Sequence, residues 1–111
     1  MLQKRNRNDR KKVASVLRSG ESLKTPNLQL KFLLETAGNP QISFIAPKTI
    51  AKNSVKRNFL RRRGYHLIQK HLSGLPTGLR GVFIFKRTDA NIENDIKEIF
   101  NKLNRVLPKK T

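Results

Sequence analysis

Cysteine is absent from the chain, and acidic residues are scarce, with 7 Asp and Glu against 25 Lys and Arg. The absence of cysteine excludes disulfide bonds and thiolate metal sites, although it does not fix the compartment. The acids are also unevenly placed, since Asp89, Glu93, Asp95 and Glu98 all lie near the C-terminus. A nuclease that holds its own divalent metal needs converging carboxylates, so we predict no catalytic residue and no metal site on the protein.

Long apolar runs are missing as well, because no stretch approaches the roughly 20 apolar residues that a membrane-spanning helix needs. The N-terminal segment MLQKRNRNDRKK does not contain the apolar core of a secretory signal. We therefore expect a cytoplasmic protein with no membrane partner. His66 and His71 diverge by about 140° on a helical wheel, so a shared zinc ion is not predicted. We expect His66 to line the edge of the core and His71 to lie on the surface.

What the chain has in excess is positive charge, with a formal net charge of +18 over 111 residues. Such a surface favours a polyanionic partner. The length suits one domain over residues 1–111, and a hydrophobic content of 36% is sufficient for a two-layer core. Basic segments at about 1–8 and 108–111 are predicted to be arms that settle on the polyanion.

The hydrophobic pattern predicts a helix and a hairpin in the first half of the chain. A first helix ends at Gly20, and residues 28–34 alternate between apolar and polar side chains as a strand does. A turn over residues 37–40 leads to a returning strand over residues 42–46. We expect these two strands to pair as a hairpin, followed by a loop or short strand and then a basic helix.

The second half closes the fold. The continuous apolar run at residues 81–85 is typical of a central strand that is covered on both faces. Apolar side chains at helical spacing over residues 92–107 predict a final helix. The order α-β-β-(β)-α-β-α indicates an α/β fold, a single-domain two-layer α-β sandwich with helices on one side of a small mixed sheet.

The basic helix is the most informative part of the sequence. The segment KTIAKNSVKRNFLRRRGY, residues 48–65, contains no acid. At about 100° per residue, two adjacent rows make one polar face: Arg57 and Arg61 in the first, and Asn58, Arg62 and Tyr65 in the second. We predict that this face lies on phosphate.

The other half of that helix is predicted to dock on the core through Val55, Phe59, Leu60 and Leu67, while Lys56 and Arg63 snorkel. Phe59 is expected in the core together with Phe83 and Phe85. For two residues alternatives remain open. Asn58 either bonds to the local backbone or reads RNA or holds a neighbouring Arg, and Tyr65 either stacks on a base or packs at the helix edge.

With these elements in this order, the chain resembles the protein subunit of bacterial ribonuclease P, whose signature is an Arg-Asn-x-x-basic-Arg helix after a hairpin and a basic loop. The matching residues are Arg57 and Asn58 for the first pair, Arg61 and Arg62 for the second, and Lys48 and Lys52 for the loop. The resemblance extends over almost the whole chain. It also implies a left-handed βαβ crossover, where sequence alone favours a right-handed one.

The resemblance implies two binding surfaces. One binds the catalytic ribonuclease P RNA through Lys48, Lys52, Lys56, Arg57, Asn58, Arg61, Arg62 and Arg63. The other is a cleft between the first helix and the sheet, which contacts the 5′ leader of precursor tRNA through Val13, Leu17, Gln29 and Lys31. The RNA performs the hydrolysis, for which magnesium is expected, and the protein needs no cofactor and no obligate protein partner.

The chain departs from the family in the first helix, where two aromatics usually precede the glycine and this chain has Val13 and Leu17. Base stacking on an aromatic ring contributes about 1–3 kcal/mol, so we expect a weaker grip on the leader. Tyr65 and Phe59 also stand where the family has basic residues, and Arg63 compensates for one of them.

Two other classes of protein share this composition. A small ribosomal protein, or a general structured-RNA-binding protein, would bind RNA without a role in catalysis. A DNA-binding protein would need a dimer interface or a recognition helix that reads bases. The order of hairpin, Arg-Asn helix and closing amphipathic helix favours the ribonuclease P subunit over the ribosomal class, but an Arg-rich helix alone does not exclude the DNA-binding class.

Overall fold

The computed structural model describes residues 10–36, 38–71, 74–87 and 92–106, and the predicted basic arms lie outside these ranges. Three helices and a four-stranded sheet make up the described part. In chain order they are α1 (Arg10–Ser19), β1 (Glu21–Lys24), β2 (Leu28–Leu34), β3 (Gln41–Ile45), α2 (Ser54–Gln69), β4 (Leu79–Phe85) and α3 (Glu93–Val106). The predicted α/β class is confirmed.

The sheet is mixed, with the spatial order β1-β2-β4-β3. Antiparallel pairing joins β1 to β2 and β2 to β4, whereas β3 and β4 run parallel. The apolar run around Phe83 therefore forms a central strand, as predicted. Since α2 connects the parallel neighbours β3 and β4, the βαβ unit that the resemblance implies is present, and its left-handed sense stays a prediction.

The predicted hairpin between residues 28–34 and 42–46 is wrong, because β4 lies between these two strands. The run 79–85 is buried along nearly its whole length and needs a neighbour on each side. The connection after β2 instead contacts the start of β4, where the carbonyl of Gly38 accepts a hydrogen bond of 2.8 Å from the backbone N–H of Gly78. The optional strand expected before α2 is absent from residues 46–53, and the hairpin is β1–β2, whose first strand the prediction missed.

One face of the sheet carries the main core. Leu28, Leu30 and Phe32 alternate on β2 and are buried, and α2 and α3 pack against this face. At its centre the ring of Phe44 stacks on Phe83, with centroids 4.9 Å apart. The apolar face of β2, which repeats every two residues, and the apolar face of α3, which follows helical spacing, therefore pack together in one core layer.

The first helix lies on the opposite face, so the expectation of helices on one side holds only for α2 and α3. Val16 of α1 and Val82 of β4 are fully buried outside the main core cluster. Lys31, the register partner of Val82, donates a hydrogen bond of 3.0 Å from Nζ to the carbonyl of Leu17. A central strand that is apolar on both faces needs cover on both, and α1 supplies it.

Charged contacts fasten α1 to the sheet. Glu35 accepts from Lys12 Nζ at 2.7 Å and lies 2.5 Å from Arg80 Nε, whose side chain is only 9% exposed. The hydrogen bond from Lys12, assisted by the Arg80 charge, lowers the pKa of Glu35 below its ordinary value. Gly20 follows the last residue of α1, as predicted, and its backbone N–H donates a hydrogen bond of 2.7 Å to the carbonyl of Val16, with which an added Cβ would collide.

Gly64 lies where α2 packs tightly on the sheet, because an added Cβ would lie 2.5 Å from Cδ1 of Phe44. We predict that Gly64→Ala destabilises the fold by about 1–3 kcal/mol through overpacking, despite a gain of about 1 kcal/mol in helix propensity. Urea denaturation measures the difference. The matched control is Gly74→Ala, where a Cβ meets no atom within 4 Å. A G64A protein as stable as the wild type would contradict this packing.

Asp95 joins the start of α3 to the β1–β2 hairpin. Its carboxylate accepts hydrogen bonds from the backbone N–H of Asn27 at 3.1 Å and from Asn27 Nδ2 at 3.0 Å. Burial raises the pKa of Asp95, but hydrogen bonds from Thr25 and Asn27 outweigh it and hold the pKa below its ordinary value. The carboxylate therefore stabilises the fold only while it is ionised.

We predict that Asp95→Asn lowers the free energy of unfolding by about 1–3 kcal/mol at neutral pH. The contribution of Asp95 is complete above the unfolded-state pKa of about 3.9 and is lost as the pH falls through the lower folded-state pKa. The deficit of the variant should consequently shrink in acid, as urea denaturation at a series of pH values would show. The same deficit at every pH would rule out this ionic role.

Candidate nucleic-acid interface

The loop before α2 is anchored at two buried alanines, Ala46 and Ala51. Between them the carbonyl of Pro47 accepts hydrogen bonds from the backbone N–H groups of Ile50 and Ala51 at 3.1 and 3.2 Å. The tight turn leaves Lys48 exposed, and Lys52 is exposed just after the second anchor. Both predicted loop lysines therefore lie on the surface beside the start of α2.

Asn53 caps α2, since its side chain accepts a hydrogen bond of 2.7 Å from the backbone N–H of Val55. Arg57 then folds back over the cap. Its Nη1 donates to the carbonyls of Ala51 at 2.9 Å and of Lys52 at 2.7 Å. The half-buried Arg57 thus ties the loop to the helix, which is a structural use of a residue predicted to bind RNA.

Asn58 lies on the surface, where its side-chain oxygen accepts a hydrogen bond from Nη2 of Arg61. Of the alternatives left open for this residue, the structure shows the one in which it holds a neighbouring arginine. An oriented guanidinium loses less conformational freedom when it contacts a phosphate. The hydrogen bond to Asn58 therefore pre-organises Arg61 for such a contact.

The outward face of α2 differs from the predicted one. Val55 is 73% exposed and Phe59 is 61% exposed, so their predicted places in the core are wrong. The buried row is instead Leu60, Gly64 and Ile68, at intervals of four residues. Because Gly64 has no side chain, this row can pack against the ring of Phe44, and α2 is oriented with the row facing the core.

Tyr65 and the two histidines, His66 and His71, complete the description of α2 and the residues that follow it. Tyr65 packs edge-on against the ring of Phe44, with centroids 5.1 Å apart, and its hydroxyl accepts a hydrogen bond of 3.3 Å from the Phe44 backbone N–H. Tyr65 therefore packs at the helix edge rather than standing free to stack on a base. The expectations for the histidines are reversed, since His66 is exposed and His71 is half-buried against Phe100.

The remaining cations form the predicted basic surface. Six of the eight residues in the predicted RNA-binding set are exposed lysines and arginines: Lys48, Lys52, Lys56, Arg61, Arg62 and Arg63. In the described ranges, every salt bridge uses Glu35, Glu93 or Glu98, and none involves α2 or its preceding loop. Arg61, Arg62 and Arg63 border an open depression of about 840 Å³. We call this surface, the six cations with Asn58, the α2 face.

The predicted leader cleft lies on the other face of the sheet, beside α1. Val13 and Leu17 are half-buried, Lys31 is held by the carbonyl of Leu17, and Gln29 donates a hydrogen bond of 3.2 Å to Oγ of Ser22. The structure therefore brings Lys31 and Leu17 into contact, which gives Lys31 a partner, and the cleft as a binding site stays a prediction.

Two isoleucines that were not predicted from the sequence lie on the same face of the sheet as Gln29 and Lys31. Ile84 and Ile45 lie in register with Gln29 across β4 and β3, and both are half-buried. The row Gln29–Ile84–Ile45 is thus a partly accessible part of this face, with two aliphatic side chains beside one amide. The sequence carried no signal for the accessibility of Ile84, because residues 81–85 are a continuous apolar run and only the structure shows that Ile84 is less buried than its neighbours.

No metal centre is found among the residues described, since no three His, Asp or Glu side chains lie together there. The acids with contacts serve the fold: Glu35 holds α1, Asp95 holds the hairpin, and Glu93 and Glu98 pair with lysines on α3. Within the same ranges, no helix is both long and apolar enough to cross a membrane. The absence of a protein-held metal stays a prediction.

The fold and the α2 face define a small, strongly basic α/β protein whose cationic helix has no carboxylate partner in the described ranges. The family model for ribonuclease P matches residues 2–110, so the chain belongs to the ribonuclease P protein family. A comparison with curated protein sequences finds no match. The family prediction made from the Arg-Asn helix is therefore confirmed.

Solved structures show the same fold. The ribonuclease P protein of Staphylococcus aureus is 14% identical, with a TM-score of 0.77 over 96% of this chain and 100% of that one. The ribonuclease P protein of Thermotoga maritima is 17% identical, with a TM-score of 0.74 over 94% of this chain and 100% of that one. At such low identity these likenesses bear on the fold alone.

Arg57 provides a test of the site's architecture. We predict that Arg57→Ala costs about 1–3 kcal/mol of folding stability, because two charge-assisted hydrogen bonds to backbone carbonyls are lost. Arg62→Ala, an exposed change further along the same helix, should stay within about 0.5 kcal/mol of the wild type. Thermal and urea denaturation measure both. Equal stabilities for the two variants would mean that Arg57 does not fasten the loop.

Proposed function

We propose that this protein is the protein subunit of ribonuclease P, which binds the catalytic RNA through the α2 face and assists 5′ maturation of tRNA. The observation that carries the proposal is the set of exposed cations on α2 and its loop, which have no carboxylate partner in the described structure of a ribonuclease P family member. A cationic helix of this kind is suited to the regularly spaced phosphates of folded RNA.

The protein's contribution is electrostatic and positional. Ribonuclease P RNA and precursor tRNA are both polyanions, and a chain with a net charge of +18 lets them approach with fewer divalent ions. Magnesium would be bound by the RNA, which carries out the hydrolysis. The described acids support this division, because those with contacts are committed to the fold rather than converging on a site.

The 5′ leader of precursor tRNA would lie in the cleft beside α1. Val13 and Leu17 of α1, with Ile84 and Ile45 of the sheet, would supply aliphatic contacts there, and Gln29 would supply an amide. Aliphatic side chains contact a base without stacking as an aromatic ring does, so the leader would be held more weakly than on aromatics. The cleft and the α2 face lie on opposite sides of one sheet, which allows both RNAs to bind together.

The direct test is cleavage of a precursor tRNA by ribonuclease P RNA from the same genome, at low magnesium, with and without this protein. Protein-dependent cleavage at the mature 5′ end is the expected result. Tight binding to another structured RNA without any stimulation of cleavage would instead favour a ribosomal or general RNA-binding role.

The α2 face yields a quantitative prediction. Replacing Arg61, Arg62 and Arg63 together by Ala should weaken binding to ribonuclease P RNA and flatten the dependence of log K on log salt by about 2–3 units. Circular dichroism should not change, because all three side chains are exposed. Filter binding over a salt series measures the slope.

The matched control removes three cations from α3, namely Lys97, Lys102 and Arg105. This variant loses the same formal charge as the α2 variant but keeps the α2 face intact. In the wild type, Lys97 and Lys102 are each paired with a glutamate on α3. A control variant that weakens binding as strongly as the α2 variant would show that net charge, not the α2 face, decides RNA affinity.

A further inference from the structure

Phe59 is a large aromatic ring left on the surface in the middle of α2. It is 61% exposed, so it forgoes most of the stabilisation that burial of a phenylalanine provides. A single exposed apolar residue needs no explanation in itself. Here, however, the ring belongs to a stripe with the exposed side chains of Val55, Arg62 and His66, which occupies the outward side of a helix without acids.

The surroundings of the ring are those of a nucleotide-binding surface. Phe59, Arg62, Arg63 and Asn58 border the same open depression of about 840 Å³. Guanidinium groups attract phosphate, and an aromatic face stacks on any nucleobase. The combination matches a nucleotide whose phosphate and base are both accessible, which is the state of an unpaired residue in folded RNA.

The other occupants of such a surface fit less well. A second copy of the chain would bring another net charge of +18 against the arginines. Tyr65, the other aromatic residue at this depression, is already committed, because its ring and its hydroxyl both contact Phe44. Phe59 therefore offers an open phenyl ring at this depression, beside the exposed imidazole of His66.

We infer that Phe59 stacks on an unpaired base of the RNA bound by the α2 face, while Arg62 and Arg63 hold the flanking phosphates. The inference rests on the proposed function, in which α2 binds RNA. The stack adds a contact whose strength does not depend on salt. The other contacts of the α2 face depend on charge.

The salt dependence of binding separates the two kinds of contact. Against ribonuclease P RNA from the same genome, Phe59→Leu should weaken binding about 5- to 150-fold, the range that corresponds to the loss of one base–aromatic stack. Its salt slope should equal that of the wild type, because no charge is removed. Arg62→Ala should flatten the slope by about one unit. Val55→Ala, an exposed apolar truncation one turn away, is the control and should bind within about twofold of the wild type.

Fluorescence gives a second readout of stacking. The chain contains no Trp, so Phe59→Trp introduces a single indole that a base stacked on it would quench. We expect saturating ribonuclease P RNA to quench this emission strongly, and to quench the emission of Val55→Trp much less. Both positions are exposed, so both variants should fold, which circular dichroism can check.

The three ways in which these experiments can fail are distinguishable. If the wild-type protein does not bind the RNA, the proposed function fails and the inference fails with it. If the wild type binds but Phe59→Leu binds equally well, or if the emission of the Phe59→Trp variant is unchanged at saturation, the stacking contact is overturned while the proposed function stands. Quenching of equal depth at positions 55 and 59 would also overturn it, because proximity to RNA alone would explain the signal.

Discussion

The close approach of Gly64 to the ring of Phe44 determines how α2 presents its surface. That ring is stacked on Phe83 and meets Tyr65 edge-on, so it cannot move away without disturbing the centre of the core. Only a residue without a side chain fits against it, since a Cβ at position 64 would lie 2.5 Å away. The row through Gly64 must therefore face inward, and every other residue on α2 takes its direction from that row.

Two properties of the surface follow from this rotation. Arg57 is turned toward the preceding loop, where its hydrogen bonds to two carbonyls make it part of the scaffold. Val55 and Phe59 are turned outward among Arg62 and its neighbours. The resulting surface combines positive charge, which acts at a distance and weakens with salt, with an aromatic face that acts only at contact.

The sequence allowed the family, the α/β class, the central strand and most of the cationic residues to be predicted, because each rests on local periodicity or charge. It did not predict strand order, since β3 pairs with β4 across a long connection, and the pattern of β3 does not specify its neighbour. It also placed Phe59 in the core. Hydrophobicity alone does not distinguish a buried from an exposed ring, and the decisive feature was the small size of Gly64. Similarly, all helices were expected on one side of the sheet. A central strand that is buried on both faces already required cover on the second face, where α1 lies.

The most direct test of the outward direction of α2 is cleavage of bound RNA by hydroxyl radicals generated from a tethered iron chelate. Because the chain has no cysteine, a single cysteine can be introduced at either His66, on the outward stripe of α2, or Lys97, on α3. Because the outward stripe of α2 faces the RNA, we expect strong, localised cleavage of ribonuclease P RNA from position 66 and weak cleavage from position 97. Strong cleavage from position 97 with none from position 66 would contradict this expectation.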